Sequence, residues 1–269
     1  MSKTDITVIM PVFELDETLF KNALTSIDNQ LVKPDNVLLV VAEGSNDHKF
    51  IKKEVLSKTK KYDLNFSVIT HKDDTSFQAQ MNLGVKSCKT KWFCYLEQDD
   101  ELSKIWLDNV VKYRNAYDNI TVFLPLVLDV TEEENGASEV IGLTNEAVWA
   151  AEFSDEMGIL DNPALLKHQN FNFDGMVMLK EMYEDFGGIK SNIKLTFMYE
   201  FLLRLINESA KVMVIPKIGY KHVNMRKGGL FHKLKEDLSP DEARWWLATA
   251  KREFYHLQDR ELAYEKLTT

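Results

Sequence analysis

The chain is short of the residues that would point away from a reduced globular protein. It has two cysteines in 269 residues, Cys88 and Cys94. Two thiols so close together read as reduced core residues rather than as a disulfide framework or a zinc site. Low-complexity linkers and internal repeats are missing, so no clean boundary separates independent domains. The longest apolar runs, at 37–42 and 122–128, fall far short of the roughly 20 residues that span a bilayer. The opening MSKTDITVIMPV carries no long apolar signal core, so a cytoplasmic location is the default expectation. A basic excess is missing too. Lys and Arg number 33 against 42 Asp and Glu, for a net charge of −9, which argues against general affinity for nucleic acid.

What is present is an alternation. Apolar runs at 6–12 (ITVIMPV), 36–42 (NVLLVVA), 65–70 (NFSVIT) and 92–96 (WFCYL) read as strands. Between them lie a helix capped by Thr18, with Phe20, Leu24, Ile27 and Leu31 at helical spacing, a lysine-rich helix reaching about Lys60, and a helix over 76–87. Strand, helix, strand in this order implies a largely parallel sheet covered by helices on both faces. The second half is less regular. A helix is expected over 103–117, a strand over 120–130, an exposed acidic loop at 131–137 and a strand over 171–179. A helix at 180–186 is stopped by Gly187 and Gly188, a further helix covers 196–208, and a short strand at 211–215 ends before Pro216. In the tail, Ser239, Pro240, Asp241 and Glu242 mark a helix start. Trp246, Ala250, Phe254 and Leu257 then line one face, which packs on the chain's own core or, as the alternative, on a second copy in a homodimer.

The stretch WFCYLEQDDEL, residues 92–102, organises the rest. It is a buried strand that ends in four acids within five residues. Such charges repel one another unless water or a cation neutralises them. In an open α/β sheet, ligands bind outside the carboxyl ends of strands, and oxygen ligands there suit Mg²⁺ or Mn²⁺. A solvated acidic turn is the plain alternative. A second polar strand end, 43–47 (EGSND), is expected on the same rim.

In this frame the chain resembles a family 2 glycosyltransferase of GT-A fold. VIMPVFELDETLFKNALTSIDNQ, with Pro11, Ser26 and Gln30, resembles that family's first strand, loop and helix. VVAEGSND resembles its nucleotide-reading turn, and AQMNLGVKSCKTKWFCYLEQDDEL resembles the A-x-x-N-x-G segment leading to a D-x-D-D metal motif. MVMLKEMYEDFGGIK, YEFLLRL and YKHVNMRKGGLF resemble the acceptor-side segments and a basic loop. There are two departures: Ala42 stands where the turn often has its first Asp, and Glu97 replaces the first Asp of the metal motif.

The resemblance implies a GT-A domain over 1–232, with a nucleotide-binding half (1–102) and an acceptor-side half (103–232), followed by a helical extension over 233–269. It implies transfer of a sugar from a nucleotide-sugar, with a UDP-sugar preferred, to a glycan or glycoconjugate hydroxyl, metal-dependent and inverting. Pro11, Val12, Glu43, Asp47, Glu97 and Gln98 would hold the donor, and Arg226 and Lys227 its diphosphate. Asp99, Asp100 and His222 are the metal candidates, for Mn²⁺ or Mg²⁺. Glu200 is the candidate base, although the gapless match for the family's acid falls on Met198, and a helical ion pair with Arg204 is its competing role. Asp174 is the reserve base. Two other functions stay open: an inactive carbohydrate-binding scaffold, and a sugar nucleotidyltransferase. The second is disfavoured because PVFELDET offers no glycine-rich cradle for a triphosphate.

Overall fold

The computed structural model describes residues 4–56, 61–72, 74, 76–132, 138–150, 156–168 and 171–223. Its first half follows the alternation. β1 (Ile6–Val12) is buried along its whole length and pairs in parallel with β2 (Asn36–Ala42) on one side and β4 (Trp92–Tyr95) on the other. β3 (Phe66–His71) extends the parallel sheet beyond β2. A strand covered on both faces has to be apolar throughout, and the two faces of β1 feed separate cores. Ile9 packs with Met81 and Val85 of α3 (Phe77–Ser87), while Ile6, Val8, Met10 and Val12 pack with Phe20, Leu24 and Ile27 of α1 (Glu17–Asp28).

Two motif residues of α3 have structural explanations. A Cβ at Gly84 would lie 2.5 Å from Ile9 Cγ2, so a glycine lets the helix sit directly on β1. Two residues earlier, Asn82 donates to Ile189 O and accepts from Ile189 N and the Tyr183 hydroxyl. The Asn-x-Gly pair therefore sets helix height and ties down the turn after the Gly187–Gly188 pair.

The second half adds β5 (Glu101–Leu102), β6 (Val122–Glu132), β7 (Ser138–Thr144), β8 (Ile159–Leu160), β9 (Val177–Leu179) and β10 (Val212–Val223). The central strand order is β3-β2-β1-β4-β9-β6-β10-β5, with β7 on β6 and β8 on β10. One sheet thus runs through both halves of the chain. It is parallel through the first four strands and mixed beyond, because β9 lies antiparallel between β4 and β6.

Four expectations are corrected. The α1 cap is Asp16, whose carboxylate accepts from the Thr18 and Leu19 amides; a charged cap also favours the positive helix end. The strand expected over 171–179 shrinks to β9, because Gly175 adopts φ +72°, where a Cβ would lie 2.8 Å from the Tyr220 ring. Pro216 does not end its strand. The β10–β6 ladder shifts register between Val214 and Ile218, and such a bulge accommodates a residue with no N–H to give. Finally, β6 continues to Glu132, into the expected acidic loop. The tail helix, Arg226 and Lys227 lie outside the described residues.

Candidate functional site

The carboxyl ends of β1, β2 and β4 form one rim, and polar side chains knit it together. The Val12 amide donates to Gln80 Oε1 at 3.0 Å. The Phe13 amide donates to Gln98 Oε1, and Gln98 Nε2 donates back to Phe13 O at 2.6 Å. The Glu14 amide donates to Asp47 Oδ2 at 2.8 Å. Pro11, Val12, Asp47 and Gln98 are therefore brought together as expected, with Asp47 and Gln98 holding the loop after β1. Glu43 is on the same rim, anchored by its amide on His71 O and paired with Lys72 at 3.3 Å. Both side chains of that pair are exposed, so it contributes little stability.

Below this rim the acidic stretch is braced by tyrosines. Tyr95, pointing up from β4, donates its hydroxyl to Glu97 Oε1 at 2.7 Å. The Tyr220 hydroxyl donates to Asp100 Oδ2 at 2.8 Å and accepts from the Glu97 amide at 3.1 Å. The Val223 amide occupies the other Asp100 oxygen at 2.9 Å. Asp100 is thus 1% exposed with both oxygens engaged, a clasp between the acidic loop and the end of β10. Of the expected metal candidates, Asp100 is the one whose two carboxylate oxygens both accept hydrogen bonds from β10. α4 (Trp106–Ala116) fixes the loop from the other side. Gln30 accepts from the Leu107 amide and donates to Ser103 O, while Ser26 accepts from the Leu102 amide. These contacts explain why Ser26 of α1 and Gln30, just past the end of that helix, belong to the motif set.

Asp174, just before Gly175, is 3% exposed, and its Oδ1 is buried with no hydrogen-bond partner. His222 of β10 lies beside it, with Nδ1 3.0 Å from Asp129 Oδ1 of β6. Burial pushes the Asp174 carboxyl up to about 6, opposed by the nearby His222 charge. Burial likewise raises Asp100 to about 8, with His222 easing it and Asp99 adding to it. Glu97 is pushed well above the carboxylate range by burial and then by Asp174 and Asp100. For His222, burial works downward, but the Asp129 hydrogen bond and the charges of Asp174, Asp100 and Glu97 outweigh it and raise it to about 10.

These shifts predict a pH dependence. A group whose pKa is raised by folding stabilises fully below its unfolded value and loses that stabilisation as pH rises through the folded one. Asp100, raised from 3.8 to about 8, does so between those values, and His222, raised from 6.5 to about 10, does so between its own, so the two overlap from about pH 6.5 to about pH 8. The melting temperature of the cation-free protein is expected to fall across that window. A flat or rising melting curve would show that the cluster is not buried as described.

Glu200 is placed elsewhere. In α7 (Phe197–Asn207) it is 1% exposed, and Arg204 grips both its oxygens, from Nε at 2.7 Å and from Nη2 at 2.8 Å. Arg204 also donates to Phe186 O and Gly188 O. The helical pair exists, but in the core rather than on an exposed face. Removing one partner of a buried ion pair costs about 3–5 kcal/mol. Glu200→Gln is accordingly expected to lower stability in denaturant titrations by that amount while leaving turnover per folded molecule unchanged. Lost turnover at wild-type stability would return Glu200 to the chemistry.

Sequence reasoning missed Asp129, Tyr95 and Tyr220. Asp129 had a signal, a lone acid in the apolar run FLPLVLDV; the tyrosines had none, since their role depends on partners far along the chain.

A twisted sheet with helices on both faces and an acidic, tyrosine-braced rim at its strand ends defines a GT-A-type α/β fold. The glycosyl transferase family 2 model matches residues 7–184, and the chain belongs to that family. A curated relative, an uncharacterized glycosyltransferase of Haemophilus influenzae, is 24% identical over 131 residues, 49% of this chain and 39% of that protein. The minor teichoic acid biosynthesis protein GgaB of Bacillus subtilis is 28% identical over 117 residues, 43% of this chain but 12% of its own length. The chain therefore spans well under half of either relative. Among solved structures, S. aureus TarS 1–349 in complex with UDP-GlcNAc superposes with TM-score 0.68 at 16% identity, over 92% of this chain and 66% of that one. GalNAc-T7 with UDP, GalNAc and Mn²⁺ gives TM-score 0.60 at 12% identity, over 83% of this chain and 44% of that one. No helix among the described residues is long and apolar enough to cross a membrane.

Proposed function

We propose that this chain transfers a sugar from a nucleotide-sugar, with UDP as the preferred nucleotide, to a hydroxyl of a glycan or glycoconjugate, with inversion. The observation that carries the reading is the convergence of Glu97, Asp99, Asp174 and His222 at the rim that also holds Val12 and Glu43. Such a gathering of carboxylates around one imidazole suits a cation-bridged diphosphate. Solved relatives of the same fold in complex with UDP-GlcNAc, or with UDP and Mn²⁺, support it.

Among the described residues, no three His, Cys, Asp or Glu side chains already form a metal cage. The donor set still fits a cation completed by substrate phosphates, because carboxylate oxygens and an imidazole, ligand types that Mn²⁺ and Mg²⁺ accept, gather at one place on the rim. Asp99 and His222 would hold Mg²⁺ or Mn²⁺. When bound, the ion stabilises charge on the departing diphosphate. Glu97, already bonded to Tyr95, closes the floor of the donor site. Asp174 takes the proton of the acceptor hydroxyl as that oxygen bonds to the sugar's anomeric carbon and the carbon–phosphate-oxygen bond breaks. Burial raises the Asp174 carboxyl, which strengthens it as a proton acceptor. Glu43 accepts from the N3–H of a uracil-like base after releasing Lys72, and Arg226 and Lys227 contact the diphosphate.

Titration with nucleoside diphosphates tests the reading. UDP is expected to bind more tightly with Mn²⁺ present, and guanosine diphosphate more weakly than UDP. Thymidine diphosphate shares the N3–H, so its binding separates only the two pyrimidines. The occupied state of Glu200 and the methionine at 198 favour a second reading, an inactive carbohydrate-binding protein. Absence of any nucleoside diphosphate binding would select it.

A further inference from the structure

One buried carboxylate at the site is not used by this chemistry. Asp129 lies on β6 directly beside His222 in the parallel β6–β10 ladder and beside Gly142 of β7 in the next ladder. Its Oδ1 is 3.0 Å from His222 Nδ1, and its Oδ2 accepts from Thr144 Oγ1 at 3.3 Å. An acid in an apolar strand is costly unless its oxygens are occupied, and here both are engaged by side chains that it also orients. The Asp129 side chain is 12% exposed and that of His222 is 30% exposed. The histidine is therefore gripped at Nδ1 from inside the sheet, while its outer part reaches the rim with Asp174, Asp100 and Glu97 around it.

The two nitrogens of an imidazole are not equivalent, and a hydrogen bond at one decides what the other can do. We propose that Asp129 is a positioning residue that keeps the proton on His222 Nδ1 and so presents Nε2 to a cation-bound diphosphate at the rim. Thr144 acts behind it by holding the second carboxylate oxygen. The inference rests on the reading of His222 as a cation ligand. Outer partners of this kind typically change metal affinity by about 10–100-fold.

The test measures Mg²⁺-linked UDP affinity in the full chain and, by ¹⁵N NMR, which ring nitrogen of His222 carries the proton. In the wild type with Mg²⁺ and UDP, Nδ1 is expected to be protonated and Nε2 bare. Asp129→Ala should weaken the Mg²⁺-dependent part of UDP affinity about 10–100-fold and leave Mg²⁺-free UDP binding unchanged. Asp129→Glu should restore part of the loss, which a merely structural defect would not allow. Asp129→Asn, which keeps the shape, serves if the alanine variant does not fold, and the wild-type NMR result decides if neither does. Wild-type Mg²⁺ linkage in a folded Asp129 variant, or a bare Nδ1 in the wild-type complex, overturns the inference. If His222→Ala itself leaves Mg²⁺ linkage intact, the cation reading of His222 fails, and the inference with it. Weakening in His222→Ala but not in the Asp129 variants sinks the positioning role alone.

Discussion

Asp99→Asn is expected to reduce sugar transfer by at least about 100-fold, the scale for removing one group that stabilises transition-state charge. The change deletes one negative charge at the strand-end loop and preserves the side chain's shape. Asp99 differs from its neighbour in burial: Asp100 is sealed by Tyr220 and Val223, whereas Asp99 is partly exposed at the rim. Substituting it should therefore leave melting temperature nearly unchanged while weakening Mn²⁺-linked UDP binding. Turnover at the wild-type rate in Asp99→Asn, with excess chelator present, would end the metal reading.

The second large effect concerns Asp174. Asp174→Asn is expected to lower turnover about 100-fold or more, in the range of a lost general base, with donor and cation affinity retained. The variant should not lose stability, because Oδ1 of Asp174 has no hydrogen-bond partner to forfeit and a neutral amide removes charge from a crowded acidic cluster. A gain in melting temperature together with lost turnover is the signature of a group held in an unfavourable environment for its chemistry. Turnover that survives in folded Asp174→Asn would remove it as base. Paired with Glu200→Gln, this separates the two acids: one change should affect rate and the other stability.

Much of the fold was legible because its first half obeys short-range rules. The buried strands of β1, β2 and β4 have uniform apolar character, and the helices between them carry their own spacing. The rim was legible too, since polar strand ends of a parallel sheet have to lie on one side. The misreadings arose where distant contacts override local pattern. Pro216 looks like a strand terminus until β6 supplies a ladder that can bulge around it. Residues 171–176 look extended until Gly175 has to turn beneath Tyr220. Among the site residues, Asp100 and Glu200 carry the same charge as Asp99 and Asp174, and the sequence could not tell which acids have both oxygens held in the core. That distinction depends on Tyr220, Val223 and Arg204, and for Asp100 the partners lie 120 and 123 residues away.

The clasp on Asp100 has a consequence for the order in which the protein matures. Its partners are at the last described strand, so Asp100 stays unbraced until residues 220–223 have been made and have threaded into the sheet. At a synthesis rate of about 5–20 residues per second, that delay amounts to roughly 6–25 seconds of translation after the loop is made. During that interval β1 to β4 can already pair and Tyr95 can reach Glu97, but Asp100 sits among the other acids of the loop without its tyrosine and amide donors. A nascent chain can thus complete the nucleotide-side sheet early and gain its catalytic floor only at the end, so partly synthesised copies carry the fold's beginning without its chemistry.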